Sequence, residues 1–254
     1  MPSFQTRTDE DELMDDFSIV DLRLTSALEQ LRSVNRFLGG YGTTMAVLAP
    51  WLKTYQQAQS RSSRPSQPIR ILDLGTGIAD FPEYIVRWAA AQSPSIDLEI
   101  VAIDANPVTV DYARQSLSDR LPPELQSKIS VEVADALALP YGDHAFDIAM
   151  GAMFLHHFAE EKAVTIVQSM QRVASQGILI NDLHRHPLAY YGIYSLTRLL
   201  RASEMVQNDG PISVLRGFRA ADLQAIAQKA NLETFSLRWY WPFRWLLTTL
   251  KIGY

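Results

Sequence analysis

The sequence predicts an α/β protein: a doubly wound sheet of seven strands, with an N-terminal helical lid and a small helical cap. Three observations lead there. From residue 69 onward, short apolar runs alternate with helical patterns, which marks right-handed βαβ units on a parallel sheet. The first apolar run leads into a glycine turn, Gly75-Thr76-Gly77, followed by a helical pattern. Each of the first three strands carries an acid at or near its carboxyl end: Asp73, Asp104 and Asp135.

Residues 1 to about 16 are acidic and are expected to be poorly ordered. Residues 18 to 55 show helical periodicity, with Leu22, Leu24, Leu28, Leu31, Val34 and Leu38 at spacings of two to four. Gly39-Gly40 breaks this helix, and Thr43 to Tyr55 resumes it. Ser60 to Pro68 is polar with two prolines and is expected to be a linker. Ile69 to Leu74 is the first strand, and Asp80 to Ala91 a helix with Pro82 in its first turn, where proline is tolerated. Strand 97–103, helix 106–118 and strand 129–134 follow. Strand 146–151, helix 159–174 and strand 177–181 complete the parallel part. Leu188 to Leu200 is a helix outside the alternation, and Asn208-Asp209-Gly210-Pro211 reads as a turn. Helix 220–230 restores the rhythm. Strands over 233–240 and 244–251, joined at Trp241-Pro242-Phe243, form a closing hairpin. The domain reading is a tail and lid over 1–60 and one domain over 61–254, with a cap insertion at about 187–217.

The chain has 254 residues, 47% hydrophobic and 20% charged, with a net charge of −5. That balance gives no general attraction for nucleic acid, whose binding depends on neutralising phosphates. There is no cysteine, so disulfides, thiolate metal sites and cysteine nucleophiles are excluded. No apolar run approaches the roughly 20 residues needed to cross a bilayer, so no stable membrane insertion is expected. No secretory signal is apparent, and the expected location is cytoplasmic, as a monomer or homodimer.

The glycine turn brings backbone close to a ligand and aims helix N–H groups at it. A nicotinamide fingerprint needs a third glycine where Asp80 stands. A carboxylate at Asp73 would repel a pyrophosphate but suits a ligand with an amino group and a sulfonium. An acid at Asp104 suits ribose hydroxyls, and one at Asp135 suits an adenine amino group. Together Leu72-Asp73-Leu74-Gly75-Thr76-Gly77, Ala102-Ile103-Asp104, Ala134-Asp135-Ala136 and Leu139-Pro140-Tyr141 to Phe146-Asp147 resemble the class I methyltransferase family, over about residues 68 to 185. The resemblance implies a Rossmann-like fold and S-adenosyl-L-methionine as cofactor. It places Gly75, Thr76 and Gly77 at the methionine end, Asp104 at the ribose and Asp135 at the adenine. Asp80, Ala105, Asn106, Ala136 and Gly151 complete the candidate cofactor set.

Glu12-Leu13-Met14-Asp15-Asp16, Val34 to Gly40, Asn181-Asp182-Leu183, Arg185-His186-Pro187 and Asn208 to Phe218 resemble bacterial small-molecule methyltransferases, some of which act on phenolic lipids or quinone precursors. This implies a lid at Asn35 to Tyr41, including Arg36, and a role in secondary metabolism. The acceptor expected is a small hydrophobic phenol, methylated on oxygen with a histidine base. A phenol has a pKa of about 10, so a base is useful. His186 and then His157 are the candidates, with Asp182 as the orienting partner. Adjacent residues on a short turn point different ways, so at most one of His156 and His157 faces the acceptor. Tyr190, Tyr191 and Tyr194 are candidate acceptor-wall residues. No metal is expected, because no acid sits at helical ligand spacing beside the histidines. Carbon or nitrogen methylation, and a catalytically silent S-adenosylmethionine-binding module, are the alternatives.

Overall fold

The computed structural model of the chain describes residues 2–16, 22–61 and 67–251. Its elements are α1 (Leu22–Phe37), α2 (Gly40–Ser60), β1 (Ile69–Leu74), α3 (Asp80–Ala90), β2 (Leu98–Asp104), α4 (Pro107–Arg120), α5 (Pro123–Gln126), β3 (Ile129–Val133), β4 (Phe146–Ala152), α6 (Glu160–Val173), β5 (Ala174–Leu183), α7 (Pro187–Leu199), α8 (Glu204–Arg216), α9 (Ala220–Lys229), β6 (Ser236–Tyr240) and β7 (Arg244–Thr248). Single 3₁₀ turns lie at Leu13–Asp15, Ala136–Ala138 and Leu155–His157.

The strands form one sheet in the order β3-β2-β1-β4-β5-β7-β6. β1 to β5 are parallel, and β7 runs antiparallel to both its neighbours. This is the predicted Rossmann-like, seven-stranded doubly wound sheet, with the closing hairpin supplying the antiparallel strand. β1 pairs with β2 on one side and with β4 on the other. The chain reverses its order there, which opens a crevice at the strands' carboxyl ends.

β1 is apolar almost throughout because both its faces are covered. Ile69 and Ile71 pack with Leu48 and Leu52 of α2, Ile85 of α3 and Val110 of α4. Leu72 and Leu74, pointing the other way, pack with Ile166 and Met170 of α6 and Ile226 of α9. Each such fully buried aliphatic side chain contributes about 1.5–3 kcal/mol relative to exposure. Asp73 shares the face of Ile69 and Ile71 and is the one charged residue of the strand's buried run.

Gly39 adopts a left-handed backbone with φ +73°, and α1 gives way to α2 there. The tip of the β6–β7 hairpin packs on this break, so a Cβ at Gly39 would lie 3.4 Å from Pro242. Leu24 and Ala27 of α1 pack on Met205 and Val206 of α8, and Arg32 reaches Glu83 of α3 at 3.0 Å. The lid helix is thus bound both to the cap and to the sheet domain.

Two expectations differ from the structure. Residues 2–16 are not loose: Arg7 donates to the carbonyls of Arg216 and His156, and Glu12 is buried. Asn208 to Pro211 is not a turn but the middle of α8. Gly210 there lies against Ile193 of α7, where a Cβ would come within 3.1 Å, and Asp209 accepts the N–H groups of Leu13 and Met14. Tertiary packing therefore uses the turn-forming residues for close approach and for anchoring the N-terminal segment. The linker expected at Ser60 to Pro68 lies mostly outside the described residues.

Candidate active site

A cavity of about 650 Å³ opens at the carboxyl ends of the central strands, under α1, the α7–α8 cap and the hairpin tip. Its first end is built on β1 and β2. Gly75 and Gly77 have φ +64° and +55°, in the region that glycine alone enters freely. The turn is held from below by Thr76, whose N–H donates to Ile103 O at 2.9 Å and whose hydroxyl donates to Asp73 at 2.8 Å. Asp104 braces it from the side: one oxygen accepts Gly77 N–H at 3.0 Å and the other accepts Asn106 N–H at 2.9 Å. Asp104 lines the cavity, and a carboxylate's four acceptor sites are not all taken by these bonds. Asn106 caps α4 through Val108 N–H, and Asp135 caps the 3₁₀ turn that carries Ala136.

Asp73, Gly75, Thr76, Gly77, Asp80, Asp104, Ala105, Asn106, Asp135 and Ala136 all line the cavity. Gly151 does not; it lies beneath Phe154, whose ring would be 3.5 Å from an added Cβ. Burial, with the charges of Asp80 and Asp104, pushes Asp73 up to about 7 against the opposing Thr76 hydrogen bond. Burial also raises Asp80 and Asp104. The site therefore holds an acidic charge that a cationic ligand would relieve.

The second end carries the histidines, and here the structure departs from expectation. Asp182 orients neither His186 nor His157. It binds His156, with Oδ1 2.7 Å from Nδ1 and Oδ2 accepting the His156 N–H at 3.1 Å. His186 lies outside the cavity lining: its Nδ1 accepts Leu188 N–H as the cap of α7, and its ring stacks on Phe243. His156 and His157 both line the cavity, contrary to the one-of-two expectation, because a tight 3₁₀ turn carries them with ring centroids 4.3 Å apart. His157 lies 2.9 Å from Asp15 through Nδ1.

Tyr190, Tyr191 and Tyr194 are not cavity walls. They lie on the other side of α7, where Tyr190 packs on Phe4 and Arg198 covers Tyr194. The cavity instead receives Leu188, Ala189, Gly192, Ile193 and Leu196 at helical spacing. Of the lid candidates, Asn35 lines the cavity and Arg36 is exposed. Tyr41 is buried behind the lining and donates to Asp80 at 2.7 Å.

Glu12, Asp15, Met153, Phe154 and Arg244 are among the cavity residues that escaped the sequence candidates. Met153 has φ +57°, a strained conformation costing about 1–3 kcal/mol that is typical of functional turns. Arg244 is buried and donates to Leu38 O at 3.3 Å and Asn35 Oδ1 at 3.4 Å, and contacts the Met153 sulfur. Among the described residues no carboxylate lies within ion-pair distance of it, and burial pushes it down to about 10 despite the charge of Asp182. Burial likewise pushes Glu12 up to about 7, against the charge of His157. The segment Glu12 to Asp16 carries a family resemblance, but no local chemistry singles out Glu12 and Asp15 as site residues.

A family profile described as "Methyltransferase domain" matches residues 71–177, the stretch from β1 into β5 that carries the glycine turn and all three acids. Over this stretch the chain is similar to the methyltransferase domain family. Among curated relatives, the ajmaline N-methyltransferase of Rauvolfia serpentina is 28% identical over 47% of this chain and 38% of its own length. The demethylmenaquinone methyltransferase of Deinococcus radiodurans is 32% identical over 42% of this chain and 39% of its own. The chain thus matches about two fifths of each of these relatives. Among solved structures, the magnesium protoporphyrin IX methyltransferase of Synechocystis PCC 6803, crystallised with bound SAH, has a TM-score of 0.52 at 16% identity, covering 83% of this chain and 82% of that one. The fold is therefore shared over most of both chains. Among the described residues no helix is long and apolar enough to cross a membrane.

Proposed function

We propose that the protein methylates the hydroxyl group of a small hydrophobic, phenolic acceptor with S-adenosylmethionine as donor. One observation carries this reading: a single cavity joins the three acids and the glycine turn to an apolar wall and a pair of histidines. Its volume falls within the roughly 300–1,000 Å³ usual for small-molecule sites.

The donor set fits the cofactor. Asp73, raised by burial, gains from an ammonium nearby; Asp104 keeps lone pairs for ribose hydroxyls; Asp135 stands at the end of β3 for the adenine amino group. When bound, the cofactor supplies an already activated methyl group on a sulfonium. The protein's task is then alignment and exclusion of water. Leu28 and Leu31 of α1 and Ile193 and Leu196 of α7 do the latter.

His157 is the acceptor-side base in this reading. It borders the cavity, and Asp15 at 2.9 Å holds its ring for taking the acceptor's proton. A base so placed speeds transfer to a phenol on the order of 10²–10⁴-fold. That favours oxygen over nitrogen or carbon as the atom methylated.

The test is a labelled methyl-transfer screen over phenols, quinols and amines, run beside calorimetry with S-adenosylhomocysteine. Turnover of phenols alone is the expected result. Labelling of amines alone replaces the acceptor class, and ligand binding with no turnover of any acceptor indicates a silent binding module. Absence of adenosyl-ligand binding overturns the reading altogether.

A further inference from the structure

Glu12 is far in sequence from the adjacent His156 and His157, yet the ligand atoms of all three lie within 4.8 Å of one another. Glu12 Oε1 is 3.6 Å from His156 Nε2 and 3.9 Å from His157 Nδ1. Around a tetrahedral cation with ligands at about 2.0–2.1 Å, neighbouring ligand atoms stand about 3.3–3.4 Å apart. These two edges would have to close by about 0.2–0.6 Å, and Asp15 Oδ1, 2.9 Å from the same His157 Nδ1, would have to yield that nitrogen to the cation or join it as a ligand.

Two further features are those of a ligand site rather than of packing. Glu12 is 3% exposed, and its Oε1 has no hydrogen-bond partner among the described residues. Buried polar atoms are rarely left so. Asp182 occupies His156 Nδ1 at 2.7 Å, which leaves Nε2 as the free nitrogen and fixes the ring. A carboxylate holding the far nitrogen of a ligating histidine is the usual support of a bound metal.

We propose that Glu12, His156 and His157 form a site for a divalent cation of the zinc type, with an open coordination position toward the cavity. Two imidazoles and one carboxylate suit zinc better than magnesium or calcium, which favour oxygen. Two cations stand near, but each has partners of its own. Arg7 donates to the carbonyls of Arg216 and His156, and Arg216 is paired with Asp15 at 2.8 Å while donating to the His157 carbonyl. They hold the His156–His157 turn in place. The site stands without the methyl-transfer reading. Only its use, binding an acceptor oxygen at the open position in place of a histidine base, rests on that reading.

Chelator-treated protein is titrated with Zn²⁺ by calorimetry and with Co²⁺ by visible absorption, with Mg²⁺ as the control. The expected result is about one Zn²⁺ per chain and a tetrahedral Co²⁺ spectrum, with affinity falling by about tenfold or more in Glu12→Gln and in His157→Ala. His144→Ala, outside the cluster, binds as the wild type does. The partly exposed His157 keeps the test valid if the buried Glu12 variant misfolds, and melting curves report which has occurred. Zn²⁺ binding that is absent, or that is equal in the wild type and folded His157→Ala, overturns the site. S-adenosylhomocysteine binding on the same samples separates the two proposals. Zn²⁺ binding without it leaves the cation site and removes the methyltransferase reading, and the converse removes the site alone.

Discussion

Asp182 and His156 are joined twice, through Oδ1 to the ring at 2.7 Å and through Oδ2 to the backbone N–H at 3.1 Å, and both are buried. Burial pushes Asp182 up, but the charge and hydrogen bond of His156 outweigh it and hold the carboxyl below the ordinary value. The pair ties the end of β5 to the turn after β4, and so sets the floor of the cavity's second end. Removing one member of a buried pair costs about 3–5 kcal/mol. Asp182→Asn should therefore lower unfolding stability in urea by that order. Since the folded pKa lies below the unfolded one, this contribution is present above about pH 4 and is lost as pH falls through the folded value. The gap between wild type and variant should narrow in acid. A gap that is small at neutral pH would show that the pair is not ionic.

Asp73 titrates in the opposite sense. Burial first, and then Asp80 and Asp104, raise it to about 7 in the ligand-free protein. Its folded value exceeds the ordinary aspartate value of about 3.9, so the folded state holds the extra proton between the two. Stability from this group is highest below the unfolded value and falls as pH rises toward 7. A ligand bearing an ammonium favours the ionised form. Affinity for S-adenosylhomocysteine should then rise with pH up to about 7 and level off, with proton release on binding below that point. Calorimetry in buffers of differing ionisation enthalpy measures this release. Asp73→Asn should weaken binding and flatten the profile; a flat profile in the wild type would show that Asp73 stays ionised.

Arg244 is a buried guanidinium held by a carbonyl, an amide and a thioether, with no carboxylate in ion-pair distance among the described residues. Burying an ion without its partner costs several kcal/mol, so the residue is retained against stability. Arg244→Met, similar in length and apolar, should leave the melting temperature equal or higher. It should also weaken binding of whichever carboxylate-bearing ligand enters the cavity. A KM change confined to S-adenosylmethionine assigns Arg244 to the cofactor, and one confined to the acceptor assigns it there. A drop in melting temperature with both KM values unchanged would make Arg244 a packing residue.

The sheet and the glycine-turn end of the cavity were legible because their signals are local. Ile69 to Leu74, Gly75-Thr76-Gly77 and Asp104 declare strand, turn and strand end within short windows, and the structure places them so. The histidine end was not, because its geometry is made of contacts distant in sequence. Glu12 meets His156 only because Asp209, in the middle of α8, accepts the N–H groups of Leu13 and Met14 and so docks the first residues on the cap. The face of α7 was misread for a related reason: Tyr190 and Tyr194 share one stripe and Leu188, Gly192 and Leu196 another, and period alone does not say which stripe turns inward. His186 looked chemical, yet its position before Pro187 makes it a helix cap.

The two glycines of the turn should respond differently to alanine. Both have positive φ, so each substitution carries a backbone cost of about 1–2 kcal/mol. At Gly77 the space beside the Cβ is open, and Gly77→Ala should cost little more than that. At Gly75 the added Cβ would lie 2.0 Å from the Phe154 ring, so the ring must leave its place in the cavity wall. Phe154 is carried on the strained turn behind Met153, and its ring also packs on Phe158 at 5.0 Å, so it has little freedom to move. Gly75→Ala should therefore reduce adenosyl-ligand affinity far more than Gly77→Ala, at a melting temperature within a few degrees of it. Phe154→Ala in the Gly75→Ala background should recover part of the affinity, because it removes the clash and leaves only the backbone cost. If the double variant binds no better than Gly75→Ala alone, the loss comes from the backbone of the turn and not from the ring.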